Sequence, residues 1–303
     1  MKQSSRPTSS IAIKPRDGNA IKSHEVLQNA SSRANILQSN MKIQSRLRHQ
    51  SKGIENKEPE IKNEVETKPE LTNEEKAIMK RIENAERLGD RSDTQKVYDY
   101  DLEIFRFMKL SEGKKLPRPD FFDGQTNIIP RMRTTVIDWI VEVHKKLNMH
   151  TDTLYLTVYL MDQYLSKIDL DKSKYQRLAC AALLIASKSE EIYPPSVNDL
   201  VKLSEKSFTP IALRRMEASL FQPVECHVNP ILPPQFLKRF LRVIHTDLAL
   251  SMLSYFILET SLLDESFIGE LPSKLAASAI CLAMTLLKGP GQWSVYMQEN
   301  TGF

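Results

Sequence analysis

The segment RLACAALLIA at 177–186 recurs as KLAASAICLA at 274–283, so that Leu178 maps onto Leu275, 97 residues further on. The same offset pairs the apolar stretch Leu154–Leu165 with Ser251–Leu262, and IDWIVEVHKKL at 137–147 with PQFLKRFLRVI at 234–244. Three segments repeated in one order at one offset imply two copies of a single structural unit in tandem. In the first copy Met132, Val136, Trp139/Ile140, Val143 and Leu147 recur at steps of three and four, which is an amphipathic helix. The repeated RLACAALLIA segment is apolar on every face, so it belongs at the centre of a bundle. No alternating strand pattern of useful length competes, and the chain reads as all-α, two five-helix bundles in tandem.

Helix boundaries follow from local chemistry. Thr151 or Asp152 is placed to cap the Leu154–Leu165 helix. Ser196 and Thr209-Pro210 mark two further starts, since a hydroxyl cap followed by proline satisfies the free amides of a first turn. Gly289-Pro290-Gly291 reads as a helix stop. The first unit ends near Pro223, so the register predicts that the second lacks its last helix and part of the one before.

The first 95 residues contain no Phe, Tyr or Trp. Such a segment buries too little apolar area to offset the entropy of ordering, and it is expected to be disordered, with at most a transient helix over 72–88. Ten Lys and Arg against Asp17 and Glu25 make residues 1–53 basic, whereas the rest of the chain is slightly acidic. Order is expected to begin near Tyr98, whose segment YDYDLEIFRFMKL has helical spacing. Cys180, Cys226 and Cys281 lie far apart in apolar contexts, which suggests reduced core thiols and an intracellular compartment. No metal-ligand spacing, phosphate-cradling loop or nucleophile elbow occurs, so neither an enzyme nor a cofactor is expected. No apolar run is long enough to span a bilayer.

At Met132-Arg133-Thr134-Thr135-Val136-Ile137-Asp138-Trp139 the chain resembles the opening of the cyclin box, Met-Arg-x-x-Leu-x-Asp-Trp. The resemblance continues through Glu142, Asp162, ALLIASKSEEIYPP (182–195) and RRMEASL (214–220) into the second repeat, and it looks most like the B-type, G2/mitotic cyclins. It implies residues 1–95 as a disordered basic/polar regulatory tail, 96–229 as the N-terminal cyclin box with a preceding helix, and 230–303 as an incomplete C-terminal box. It also implies a regulatory subunit that binds and activates a mitotic cyclin-dependent protein kinase and helps select its substrates.

By the same resemblance, Lys188 and Glu217 form the pair at the kinase contact, joined by Ser189, Glu190, Tyr98 and Leu102. Arg133 and Asp162 are implied as an internal ion pair. Met132, Val136, Trp139, Glu142, Tyr175 and Gln176 are implied as a docking patch for Arg-x-Leu segments of substrates or inhibitors, with Glu142 receiving the arginine. Read as residues alone, the four charges could equally be surface charges and the apolar set ordinary core. Thr135, Tyr175, Arg177 and Ser189 all depart from the residues the family usually carries.

The tail has no Arg-x-x-Leu destruction box; Arg33-Ala34-Asn35-Ile36 is a degenerate one, through which the ubiquitin-ligase machinery would act. The nucleus, with shuttling to the cytoplasm, is the expected location. The competing class is a transcription-factor-type cyclin fold that binds DNA directly. It needs a basic stripe on the folded part, and here the positive charge sits in the tail, so no direct nucleic-acid contact is expected.

Overall fold

Why the chain folds as paired bundles is visible in which faces its helices bury. The computed structural model describes residues 71–88, 98–244 and 246–303, so the tail up to residue 70, Arg33 and Ile36 included, lies outside the described residues. Its helices are α1 (Asn73–Arg81), α2 (Asp101–Ser111), α3 (Pro130–Lys146), α4 (Thr151–Leu165), α5 (Tyr175–Glu190), α6 (Val197–Leu203), α7 (Pro210–Phe221), α8 (Pro233–Val243), α9 (Leu248–Ser261), α10 (Pro272–Lys288) and α11 (Val295–Thr301). No strand occurs among the described residues. The all-helical expectation holds.

α5 is the axis of the first bundle. Every residue from Leu178 to Ser187 is buried, because α4 packs along one side of it and α7 along another. α3 brings its Ile140 and Val143 to the same core. Two hydroxyl caps fall where the sequence places them: Ser196 Oγ accepts from Asp199 N and Thr209 Oγ1 from Ala212 N, with Pro210 at the first helical position. The cap of α4 differs. It is His150, whose Nδ1 accepts from Asp152 N at 3.4 Å while its own N–H donates to Glu191 Oε1 at 2.7 Å. This extends the helix back over Thr151 and Asp152, the two residues expected to cap it.

The second bundle repeats the first four helices of the first in order. α8, α9, α10 and α11 stand in the places of α3, α4, α5 and α6, and α10 packs against both α8 and α9. The expectation that the fourth helix is partly lost is corrected here, since α11 matches α6 in length at 7 residues each. Among the described residues no counterpart of α7 packs on α10, and the effect on burial is direct. Ile185, covered in the first bundle, is 4% exposed, while its counterpart Leu282 is 47% exposed.

The same comparison corrects the cysteine expectation. Cys180 is buried, but Cys226 and Cys281 are exposed, and Cys281 is the counterpart of the buried Leu184.

Order also begins earlier than the composition suggests. Thr72 and Glu75 form a reciprocal capping box at the start of α1. The chain beyond it then docks, with Ile82 only 2% exposed and Ala85 also buried. Asn300 Oδ1 accepts from Glu86 N at 2.7 Å, and Arg239 donates to Glu86 O at 2.8 Å. Composition assigns residues 71–88 to the tail. They fold because the second bundle supplies partners that a local composition count cannot see.

α2 is anchored on that same bundle. Phe105 packs edge-on against Phe236 and Phe240, with ring centres 6.3 and 6.2 Å away. Asp101 pairs with Arg239 at 2.6 Å. Buried Lys109 pairs with Glu112 at 3.0 Å and donates to Ser273 Oγ at 2.7 Å, while Glu112 accepts from Ser273 N at the start of α10. The negative carboxylate therefore sits at the positive end of a helix dipole.

Candidate functional site

The sequence singles out three groups of side chains, and the fold assembles each to a different degree. The first is the Lys188–Glu217 pair. α5 presents Lys188 from its last turn, where the helix leaves the core, and α7 runs alongside carrying Glu217. Lys188 Nζ donates to Glu217 Oε1, and the pair lies at the surface. Ser189 Oγ donates to Glu190 Oε1 at 3.2 Å, and both residues are exposed beside it. The Lys188 end of the pair is open to solvent, while the Glu217 side chain is 15% exposed.

Two residues just beyond Glu190 escaped the sequence reasoning. Ile192 and Tyr193 are 88% and 91% exposed, held out by Pro194 and Pro195 directly behind the pair. Large apolar side chains kept in water next to a charged pair have the character of an interaction surface. The string EEIYPP signals the end of α5, since the residue ahead of a proline is turned away from helical backbone.

Tyr98 and Leu102, expected at the same contact, are both partly buried. Tyr98 is half-buried under the Arg87 guanidinium, 5.4 Å from its ring centre, and Leu102 packs partly into the core. The exposed apolar residues of this region are instead Tyr100, Ile104 and Phe107, which lie on one helical face.

The second group is Arg133 and Asp162, and here the expected pair forms. Arg133 Nε and Nη2 donate to the two Asp162 oxygens, both at 2.8 Å, with both side chains buried. Burial by itself would weaken the guanidinium's hold on its proton. The Asp162 charge and hydrogen bonds outweigh that and keep its pKa above the ordinary arginine value. Nη1 then reaches the second bundle and donates to Leu262 O at 2.8 Å, and Thr134 Oγ1 donates to Leu263 O at 2.9 Å. The pair is a brace between the bundles.

The third group assembles in part. Met132, Val136, Tyr175 and Gln176 line one groove of about 360 Å³ between α3 and the start of α5, with Ile129, Arg131, Thr135 and Lys172 completing it. Trp139 and Glu142 do not line it. Trp139 packs against the core and Glu142 is exposed further along α3. Six residues of helix carry Glu142 about 9 Å beyond Val136, past the end of the groove. The Tyr175 hydroxyl is buried there without a hydrogen-bond partner, and burial pushes its pKa up.

Among the described residues no three His, Cys, Asp or Glu side chains converge as metal ligands, and no helix is long and apolar enough to cross a membrane.

Two adjoining family models match this arrangement: the cyclin N-terminal domain over residues 103–229 and the cyclin C-terminal domain over 231–303. The chain belongs to the cyclin family. Within it, this cyclin is 34% identical over 214 residues to cyclin-B2-3 of Arabidopsis thaliana, covering 71% of the chain and 50% of that relative. It is 32% identical over 227 residues to the G2/mitotic-specific cyclin-B2 of Homo sapiens, covering 75% and 56%. The chain thus spans about half the length of these curated relatives. The crystal structure of a viral cyclin from herpesvirus saimiri superposes with a TM-score of 0.60 at 20% identity, over 66% of this chain and 90% of that one. That likeness concerns the fold: two cyclin boxes, each built around one buried central helix.

Proposed function

We propose that this cyclin is a non-catalytic regulatory subunit that binds and activates a mitotic cyclin-dependent protein kinase. The observation that carries the proposal is the Lys188–Glu217 pair at the end of the central helix, with Ile192 and Tyr193 held in solvent beside it. A rigid platform offering one charged pair and adjoining apolar side chains suits the regulatory helix of a kinase. Phosphoryl transfer requires the kinase's Lys–Glu pair and metal-holding Asp to be aligned. A partner that binds only the aligned arrangement shifts the population toward it by its differential affinity. The cyclin supplies no reacting group.

In this proposal the groove at Met132, Val136, Tyr175 and Gln176 docks substrates or inhibitors, and the protein works in the nucleus in exchange with the cytoplasm. Turnover would run through the ubiquitin-ligase machinery and the degenerate box at Arg33 and Ile36. The test is phosphorylation of histone by a purified mitotic cyclin-dependent kinase, with the intact chain or with Lys188→Ala plus Glu217→Ala. Strong stimulation that drops at least about tenfold in the double variant is expected, as for loss of a central interface pair. A folded chain that gives no stimulation defeats the proposal.

A further inference from the structure

The docking groove has an electrostatic character that its apolar residues do not reveal. No acidic side chain lines it, because Glu142 lies beyond its end, and its two charged lining residues are Arg131 and Lys172. The turn Lys172–Lys174 and the first turn of α5 separate it from a second cavity of about 470 Å³, which Lys174, Arg177 and Arg215 line from the far flank. None of these five cations forms an ion pair among the described residues. Arg177 stacks its guanidinium 5.8 Å from the Phe208 ring centre, and its Nε is buried without a hydrogen-bond partner. Two carboxylates, Asp169 and Asp171, also line that cavity and keep their charge, so the cations outnumber them there by three to two. Asp169 accepts from Thr126 N and Oγ1 at 3.0 and 2.8 Å, and Asp171 accepts from Ser173 N at 2.8 Å.

We propose that this surface selects peptide segments in which an apolar anchor for the groove is flanked by a run of aspartate or glutamate carboxylates. The inference rests on the docking role proposed above and narrows it to a class of partner. Complementary charge fixes register and rejects wrong partners, and an arginine beside the anchor would meet like charge here. The cations are spread over both flanks of one helical turn and onto α7. That spacing matches charge distributed along an extended chain better than a single concentrated phosphoryl group.

The test is fluorescence polarisation with the full chain and labelled peptides that share one Ala-x-Leu core, whose leucine is the apolar anchor. The core carries four glutamates, four glutamines or four phosphoserines, at either its N- or C-terminal end. The glutamate peptide in one polarity should bind about tenfold more tightly than its glutamine twin at ~50 mM salt, with the advantage shrinking at ~0.5 M salt. The variant carrying Lys174→Glu and Arg215→Glu, both exposed positions, should lose that advantage and keep the glutamine peptide's affinity. Equal binding of the glutamate and glutamine peptides in both polarities, or an advantage that survives charge reversal, overturns the inference. So does a phosphoserine peptide that far exceeds the glutamate one, because it would mark a phosphoryl site. Val136→Ala separates this inference from the role beneath it. If no peptide's affinity responds to Val136→Ala, the docking role itself fails. If all respond but charge is immaterial, docking stands and the acidic preference alone falls.

Discussion

Arg133 grips Asp162 through two parallel hydrogen bonds of 2.8 Å and uses its remaining nitrogen to hold the Leu262 carbonyl of the second bundle. One guanidinium therefore satisfies a buried carboxylate and ties the two boxes together. Its planar fork presents two parallel donors to the carboxylate and a third nitrogen to the carbonyl, a spread that a lysine's single nitrogen lacks.

Removing one partner should be far worse than removing both. Arg133→Ala or Asp162→Ala leaves a buried charge alone and should cost about 3–5 kcal/mol, whereas Arg133→Met with Asp162→Leu should cost less than either single change. Urea denaturation measures all three. A loss below about 1 kcal/mol in the single variants would mean that the pair is not buried in solution.

Residues 71–88 should behave as part of the second box. Ile82→Ala removes a buried side chain, and a loss of about 2–4 kcal/mol is expected. Deleting residues 1–88 should lower the melting temperature relative to deleting residues 1–70. Equal melting temperatures for the two deletions would contradict the docking of this segment.

The thiols should divide by burial. Cys226 and Cys281 should react with a thiol reagent at pH 8 in the folded protein, while Cys180 reacts only on unfolding. Burial pushes the Cys180 thiol up to about 12 from its ordinary 9.0. The folded state therefore holds that proton more tightly, and the associated stability is complete below pH 9.0 and is lost as pH rises above it. Urea midpoints between pH 8 and 10 should fall for the native sequence and be flatter for Cys180→Ala. Tyr159, which burial also pushes up to about 12 from 10.0, adds a loss of the same sign at higher pH.

Lys188→Ala should change stability by less than about 1 kcal/mol, because the lysine side chain is 51% exposed. A larger change would make the pair a structural brace, and any loss of kinase stimulation could then be a folding defect. Melting temperatures measured beside the kinase assay distinguish the two.

The repeat of RLACAALLIA as KLAASAICLA is enough to give two tandem helical bundles, and the residue chemistry of Ser196, Thr209 and Gly289 is enough to place helix ends. These features are local or periodic, so they can be read without knowing what a residue touches. The family motif points to Arg133–Asp162 and Lys188–Glu217 as pairs, and the fold brings both together. Tertiary structure decided the rest. Ile82 is buried because the second bundle receives it, although its own segment has the composition of a tail. Leu282 and Cys281 are exposed, although their counterparts Ile185 and Leu184 are core, because α7 covers only the first bundle. Trp139 and Glu142 share a helix with Val136, yet the groove ends before reaching them. In each case burial is set by a neighbour distant in sequence, and periodicity carries no information about that neighbour.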